Sequence, residues 1–182
     1  MHFTLSDLVL DVAQNAAEAH SKRVRVQIEE TEKRFYFSVQ DDGKGMDRES
    51  LQRALDPFYT DGTKHPGRKV GLGLPFLVQT AEQSGGGWNI QSEPGKGTTV
   101  AGWFDLENVD CPPVGDIPGL IRTILLLPGP EEWILYRSLV RQGRRIEYEV
   151  RRSELENVLG NLEEGENLIL LDQYLRSQET EE

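Results

Sequence analysis

The segment from Leu5 to His20 constrains this chain most. Leu5, Leu8, Val9, Val12, Ala13, Ala16 and Ala17 recur at helical spacing, with Thr4 or Ser6 as candidate cap. Directly afterwards the period changes from 3.6 to 2. Val24–Ile28 and Phe35–Val39 alternate as two strands joined by a charged turn at Glu29–Arg34. A helix with one apolar stripe and a strand pair with one apolar face each need another layer to cover them. The chain therefore carries both helices and strands. Its 182 residues are 37% hydrophobic and 28% charged, enough apolar material for a buried core.

Downstream, Asp41–Gly45 forms a turn and Asp47–Leu55 a short helix stopped before Pro57. Thr60–Lys69 is a polar loop. Leu72–Gln83 is a second long helix, with Pro75 tolerated in its first turn. Gly85-Gly86-Gly87 ends it, and strands follow at Trp88–Gln91 and Thr98–Phe104 around a Glu93–Gly97 turn. Cys111-Pro112-Pro113 and Pro118 then mark a linker. Beyond them lie an apolar segment (Ile117–Leu127), two strands (Trp133–Val140 and Arg144–Val150), a short helix (Ser153–Leu159) and an amphipathic helix near Asn167–Leu175. The expected division is 1–105, a linker at 106–118 and a C-terminal α/β extension at 119–182.

A formal net charge of −11 argues against nucleic acid as the main partner but leaves room for a local anion site. The single cysteine, Cys111, forms no intrachain disulfide and sits among prolines as a linker residue. Asp7 and Asp11 in the first apolar stretch disfavour a signal peptide, and stretches such as Ile124–Leu127 are too short to cross a bilayer. A soluble, cytoplasmic protein without membrane insertion is expected.

Four segments carry chemistry. Asp11 and Asn15 are one helical turn apart on one face. An amide oxygen there suits Mg²⁺, which prefers oxygen ligands, and a carboxylate suits activation of a water or hydroxyl. A solvated helix edge is the plainer explanation of the pair. In Val39-Gln40-Asp41-Asp42-Gly43-Lys44-Gly45-Met46 a strand ends in a carboxylate able to accept from an exocyclic amine, and the glycines allow close approach to a flat ring. An ordinary Asp-Gly turn is the alternative there. Val70-Gly71-Leu72-Gly73-Leu74 enters a helix whose N-terminal amides can seat phosphate, with Lys64 and Arg68 just before it. It is not a P-loop, because no Gly-Lys-Ser/Thr follows. Gly95-Lys96-Gly97-Thr98-Thr99-Val100 places a hydroxyl at the start of an inner strand.

In this order the four segments resemble the ATP-binding domain shared by gyrase, heat-shock chaperones, histidine kinases and MutL, the GHKL superfamily or Bergerat fold. The likeness is nearest to histidine-kinase catalytic domains. Asp56-Pro57-Phe58-Tyr59-Thr60 resembles their phenylalanine-bearing box, and Ser92-Glu93-Pro94-Gly95-Lys96-Gly97-Thr98 their closing strand turn. The resemblance covers residues 1–105 and implies an α+β sandwich, a mixed sheet with helices on one face. It implies ATP and Mg²⁺ as cofactors. By it, Asn15 is the metal ligand, Asp41 binds the adenine amine, and Gly43, Gly45 and Met46 line the base. Phe58 anchors the lid, Lys64 and Arg68 face the outer phosphates, Gly71, Leu72, Gly73 and Leu74 cradle phosphate, and Thr98 supports adenine through water. Asp11 is the implied catalytic base.

The chain departs from that pattern in places. Its histidines are His2, His20 and His65, none with the neighbours of a phosphoacceptor helix, so a phosphorylated residue is expected on a separate partner protein. Asp11 stands where hydrolysing relatives usually carry Glu. Glu18 stands where many histidine kinases have a basic residue. Residues 106–182 lie outside the resemblance. There the run Arg137, Arg141, Arg144, Arg145, Arg151 and Arg152 suggests either a docking face or solvated strand edges. Two functions compete: γ-phosphate transfer to water or to a partner residue, and an ATP-gated binding module with little turnover.

Overall fold

The computed structural model describes residues 3–58 and 73–180. In chain order these form α1 (Leu5–Glu18), β1 (Arg23–Glu30), β2 (Arg34–Asp41), α2 (Arg48–Leu55), α3 (Gly73–Gln83), β3 (Gly87–Glu93) and β4 (Gly97–Asp105). Then follow α4 (Ile117–Leu125), β5 (Glu132–Arg141), β6 (Arg144–Arg151), α5 (Arg152–Leu159) and α6 (Gly165–Glu179). The six strands make one mixed sheet in the order β3-β4-β2-β1-β5-β6. Every neighbouring pair is antiparallel except β1 and β5, which run parallel with Val24 opposite Trp133. The expected α+β sandwich is thus the architecture found.

Alternation decides which face of the sheet is covered. Val24, Val26 and Ile28 of β1, Phe35, Phe37 and Val39 of β2, and Val100 and Phe104 of β4 all point into the core. Leu5, Leu8, Val9, Val12, Ala13 and Ala16 of α1 meet them, as do Leu74, Leu77 and Ala81 of α3. Each such Val, Leu, Ile or Phe side chain, fully buried, contributes on the order of 1.5–3 kcal/mol. Leu155 and Leu159 of α5 and Leu171 and Leu175 of α6 join the same cluster, so the helices form one layer.

The termini of α1 explain its position. Thr4 and Asp7 form a reciprocal capping box, Thr4 Oγ1 accepting from Asp7 N–H and Asp7 Oδ2 from Thr4 N–H. Two further first-turn amides, those of Leu5 and Ser6, donate to the carbonyls of Pro113 and Val114 at 2.9 Å each. The helix stops at Glu18, two residues before the sequence pattern ends. His20 turns to a φ of 58°, and Ser21 Oγ donates to Ala16 O at 2.6 Å.

Residues beyond 105 continue the same sheet through β5 and β6. The apolar segment after the linker becomes α4, because Asp116 caps it by accepting from Gly119 N–H at 3.1 Å and Pro118 suits a first turn. One expectation is corrected here. Arg137 belongs neither to a docking face nor to a solvated edge, being only 1% exposed. It shares a face of β5 with Trp133, Leu135 and Leu139, opposite Ile28. Its guanidinium donates to Glu30 at 2.6 Å and Glu179 at 2.8 Å, and Tyr148 Oη donates to Glu179 at 2.9 Å. Arg141, Arg144 and Arg145 are exposed.

Candidate functional site

The site is laid out along α1. Asp11, Asn15 and Ala19 follow one another at four-residue steps, so they succeed each other along one side of the helix. At 1.5 Å per residue the three cover about 12 Å. The first two positions meet the start of α3. A Cβ placed on Gly73 would lie 3.5 Å from Asp11 Cβ and 3.7 Å from Asn15 Nδ2. The last position meets the loop after β2, where Lys44 N–H donates to Ala19 O at 2.9 Å. A helix N-terminus thus faces the Asp11–Asn15 edge, while the Asp41 loop closes the other end.

At that far end three strand ends converge. Asp41 is 9% exposed, and its Oδ1 accepts from Gly43 N–H at 2.9 Å. It stands opposite Thr98, which in turn stands opposite Ser92. Gly97 takes a φ of 104° and would bring a Cβ within 2.0 Å of Asp41 O, so no other residue fits. Gly45, at φ 64°, presses on Glu93 O just as closely. Met46 N–H donates to Ser92 Oγ at 2.8 Å. These contacts close the loop over the β3–β4 turn. An open depression of about 190 Å³ beside these strand ends is lined by Glu93 and Lys96 and by Gln40, Gln91 and Thr99, whose side chains alternate to the face of the sheet opposite those of Asp41, Ser92 and Thr98.

Both carboxylates in the arrangement are perturbed. Desolvation raises the Asp11 carboxyl above its ordinary range, and the nearby charge of Asp7 adds to it. Desolvation likewise raises Asp41, opposed by the backbone amides of Gly43 and Thr98 and reinforced by Asp42.

The structure therefore groups Asp11, Asn15 and Gly73 at one end and Asp41, Gly43, Gly45, Met46 and Thr98 at the other. Leu74 turns its side chain into the core, leaving only its backbone for a ligand. Phe58 is 92% exposed, with its amide donating to Asp56 Oδ1. Lys64, Arg68, Gly71 and Leu72 lie outside the described residues, as do His2 and His65. Ser92 had no role in the sequence reading beyond its place in the strand turn. Its signal was the hairpin itself, since a turn centred on Gly95 puts Ser92 across from Thr98.

The family described as histidine kinase-, DNA gyrase B- and HSP90-like ATPases matches residues 3–108, more than half of the chain. The chain belongs to this family. Among relatives of this chain, Sporulation kinase C of Bacillus subtilis (strain 168) is 34% identical over 96 residues, covering 52% of this chain and 22% of that protein. Sensor histidine kinase ZraS of Escherichia coli (strain K12) is 31% identical over 113 residues, 61% of this chain and 23% of its own. Sensor kinase CckA of Brucella abortus (strain 2308) is 41% identical over 63 residues, 35% of this chain and 6% of its own. The matched part thus spans under a quarter of each of these relatives. The GHKL resemblance of the sequence and the sandwich of the structure agree with this membership. Among the described residues no helix is long and apolar enough to cross a membrane.

Proposed function

We propose that this chain binds ATP with Mg²⁺ in the groove along α1 and transfers the γ-phosphate, either to water or to a residue on a separate partner protein. The observation that carries the proposal is the placement of Asp11 and Asn15 against the N-terminus of α3, with Asp41 and Thr98 at the other end of the same helix. The base lies at the Asp41 end, where the carboxylate accepts from the exocyclic amine and Thr98 supports the ring edge. Met46, Gly43 and Gly45 line it. The phosphates extend toward Gly73, where free amides and the helix dipole favour negative charge. Phe58 anchors the lid, and Lys64, Arg68, Gly71 and Leu72 complete the phosphate side.

Magnesium fits the donor set. Among the described residues no three His, Cys, Asp or Glu side chains gather as a metal cage. A single amide oxygen from Asn15 together with phosphates and waters is the kind of shell Mg²⁺ adopts. Bound there, Mg²⁺ would neutralise phosphate charge and orient the outer phosphates.

Transfer proceeds by attack of a water or hydroxyl oxygen on the γ-phosphorus. The new P–O bond forms as the bond to the β–γ bridging oxygen breaks, its electron pair leaving with ADP. Asp11 takes the proton from the nucleophile. Its raised carboxyl makes it a better base near neutral pH than an ordinary aspartate. Residues 109–180, beyond the matched family region, supply the surface toward a partner.

A second reading, an ATP-gated module with little turnover, is favoured by Asp11 itself, which is one methylene shorter than Glu. Phosphate release from Mg·ATP separates the two. Loss of a general base costs about 10²–10⁴-fold, so Asp11→Asn is expected to remove turnover while ATP still binds. Wild-type chain that binds ATP yet releases no phosphate, with or without candidate acceptors, would support the gated module instead.

A further inference from the structure

Strand β6 closes one end of the sheet, with β5 on one side only. The turn before it holds two residues, Gln142 and Gly143, both at positive φ, and Arg141 faces Arg144 across it. In a two-residue hairpin the closing pair is hydrogen-bonded, and bonded and unbonded pairs then alternate along the strands. The backbone groups of Ile146, Tyr148 and Val150 therefore face β5. Those of Arg145, Glu147 and Glu149 face outward, and their amides find no acceptor among the described residues.

Above that edge α6 leaves an apolar shelf. One flank of α6 is tied to α4, where Asp172 accepts from Arg122 at 2.8 Å and Arg176 donates to Asp116 at 2.9 Å. Leu171 and Leu175 point into the core. At about 100° per residue, Leu170 and Tyr174 emerge on the flank roughly opposite Asp172 and Arg176, away from α4. They are 49% and 41% exposed. Tyr174 is near enough to Tyr148 of β6 for their hydroxyls to interact electrostatically. The shelf thus overhangs the unpaired side of β6, on the face to which Ile146, Tyr148 and Val150 point.

The opposite face of β6 carries Arg145, Glu147, Glu149 and Arg151 in that order. Arg145 pairs with Glu147 at 3.2 Å, and Glu149 pairs with Arg151 at 3.1 Å and with Arg25 at 3.2 Å. These charges form a pattern rather than a field of one sign, and the pattern reads the same in both directions. A second copy of β6 laid antiparallel along the full strand would set Arg145 against Arg151 and Glu147 against Glu149. Like charges directly opposite are destabilising. Sliding the copy by two residues sets Glu147 or Glu149 against itself and shortens the ladder. The edge therefore disfavours its own copy.

We infer that β6 is a docking edge whose occupant is an extended segment of a partner protein. The segment lengthens the sheet by one strand, bonding to the backbone of Arg145, Glu147 and Glu149. Its apolar side chains, at every second position, lie under Leu170 and Tyr174. On its other face its charges run in the order acid, base, base, acid. This gives a chemistry to the surface that the proposed function assigns to a partner.

Two capped peptides of equal composition provide the test. Glu-Val-Lys-Val-Lys-Val-Glu carries the complementary order, and Lys-Val-Glu-Val-Glu-Val-Lys carries the order of β6 itself. Backbone amide exchange of the full chain, followed by NMR, is the readout. The first peptide is expected to slow the Arg145, Glu147 and Glu149 amides, which exchange fast without it. The Ile146, Tyr148 and Val150 amides, already bonded to β5, stay slow throughout and show that the fold holds. The second peptide should need about tenfold higher concentration for the same slowing, since every facing charge pair is reversed. Glu147→Lys together with Glu149→Lys should erase the difference, because two of the four facing pairs then favour each peptide. Leu170→Ser together with Tyr174→Ser should weaken both peptides by about tenfold. Equal slowing by the two peptides in the parent chain, or none at the outward amides, would overturn the inference. So would outward amides that are slow without peptide in a chain that sediments as a dimer, which would assign the edge to a second copy. ADP binding by the parent chain reports on the nucleotide site separately: its absence would defeat that site and leave β6 untouched.

Discussion

Arg137→Ala lowers the stability of this chain by about 3–5 kcal/mol, the cost of stripping one partner from a buried ion network. For a chain of this size that is a fall in Tm on the order of 6–20 °C, measured by thermal unfolding. The reason is what remains. Glu30 and Glu179 lie 11% exposed on either side of the guanidinium, and without it two carboxylates share a desolvated pocket. Tyr148 Oη would still donate to Glu179, but among the described residues Glu30 retains only the longer contact to Arg141 at 3.7 Å. Replacing the three charged residues together by Met, Leu and Leu should recover most of the loss, because such networks often compare evenly with apolar packing of similar volume. A single Arg137→Ala change within about 1 kcal/mol of the parent would show that the network carries no such weight.

Asp41→Asn separates binding from folding. Nucleotide affinity should fall by roughly 10–100-fold, the range for a lost charge-assisted hydrogen bond. Stability of the nucleotide-free chain should hold or rise. Burial raises the Asp41 carboxyl, so the folded state holds its proton more tightly than the unfolded chain does. The charged form therefore costs stability at neutral pH, and that cost is relieved as pH falls through the raised value. Affinity moves the other way, since the protonated acid no longer accepts through both oxygens. In the parent chain, acidification from neutral should weaken ADP above the ordinary carboxylate range while Tm does not fall for this reason. Asp41→Asn should lose that pH dependence, a comparison that calorimetry at several pH values makes directly.

The strand ends around Asp41 were legible because their arrangement is tied to backbone geometry. Gly45 and Gly97 adopt conformations and approaches that admit only glycine, so their spacing around Asp41 and Thr98 was informative. Asp11 and Asn15 were legible through helical period alone. Ser92 was harder, because a serine on an edge strand is ordinary until its cross-strand partner is known. Arg137 misled for a related reason. Composition grouped it with its arginine neighbours, whereas the alternation of Trp133, Leu135 and Leu139 placed it inward, and the acids that neutralise it come from β1 and α6, far away in sequence. Long-range charge pairing leaves no local trace. The same holds for the Pro113 and Val114 carbonyls that receive the first amides of α1, joining the linker to the helix that carries Asp11 and Asn15.

The parallel pairing of β1 with β5 has a consequence for the order in which this molecule is made. Val24 leaves the ribosome 109 residues before Trp133, its partner across the sheet. At about 5–20 residues per second, β1 waits roughly 5–20 s with one edge open. On that edge Arg23 and Arg25 precede Gln27 and Glu29, alternating with the apolar residues that seek the core. Charges in such positions discourage a neighbouring nascent chain from pairing there. The exposed half of β1 thus acts as a guard during synthesis, and β5 covers that edge only when most of the chain has emerged.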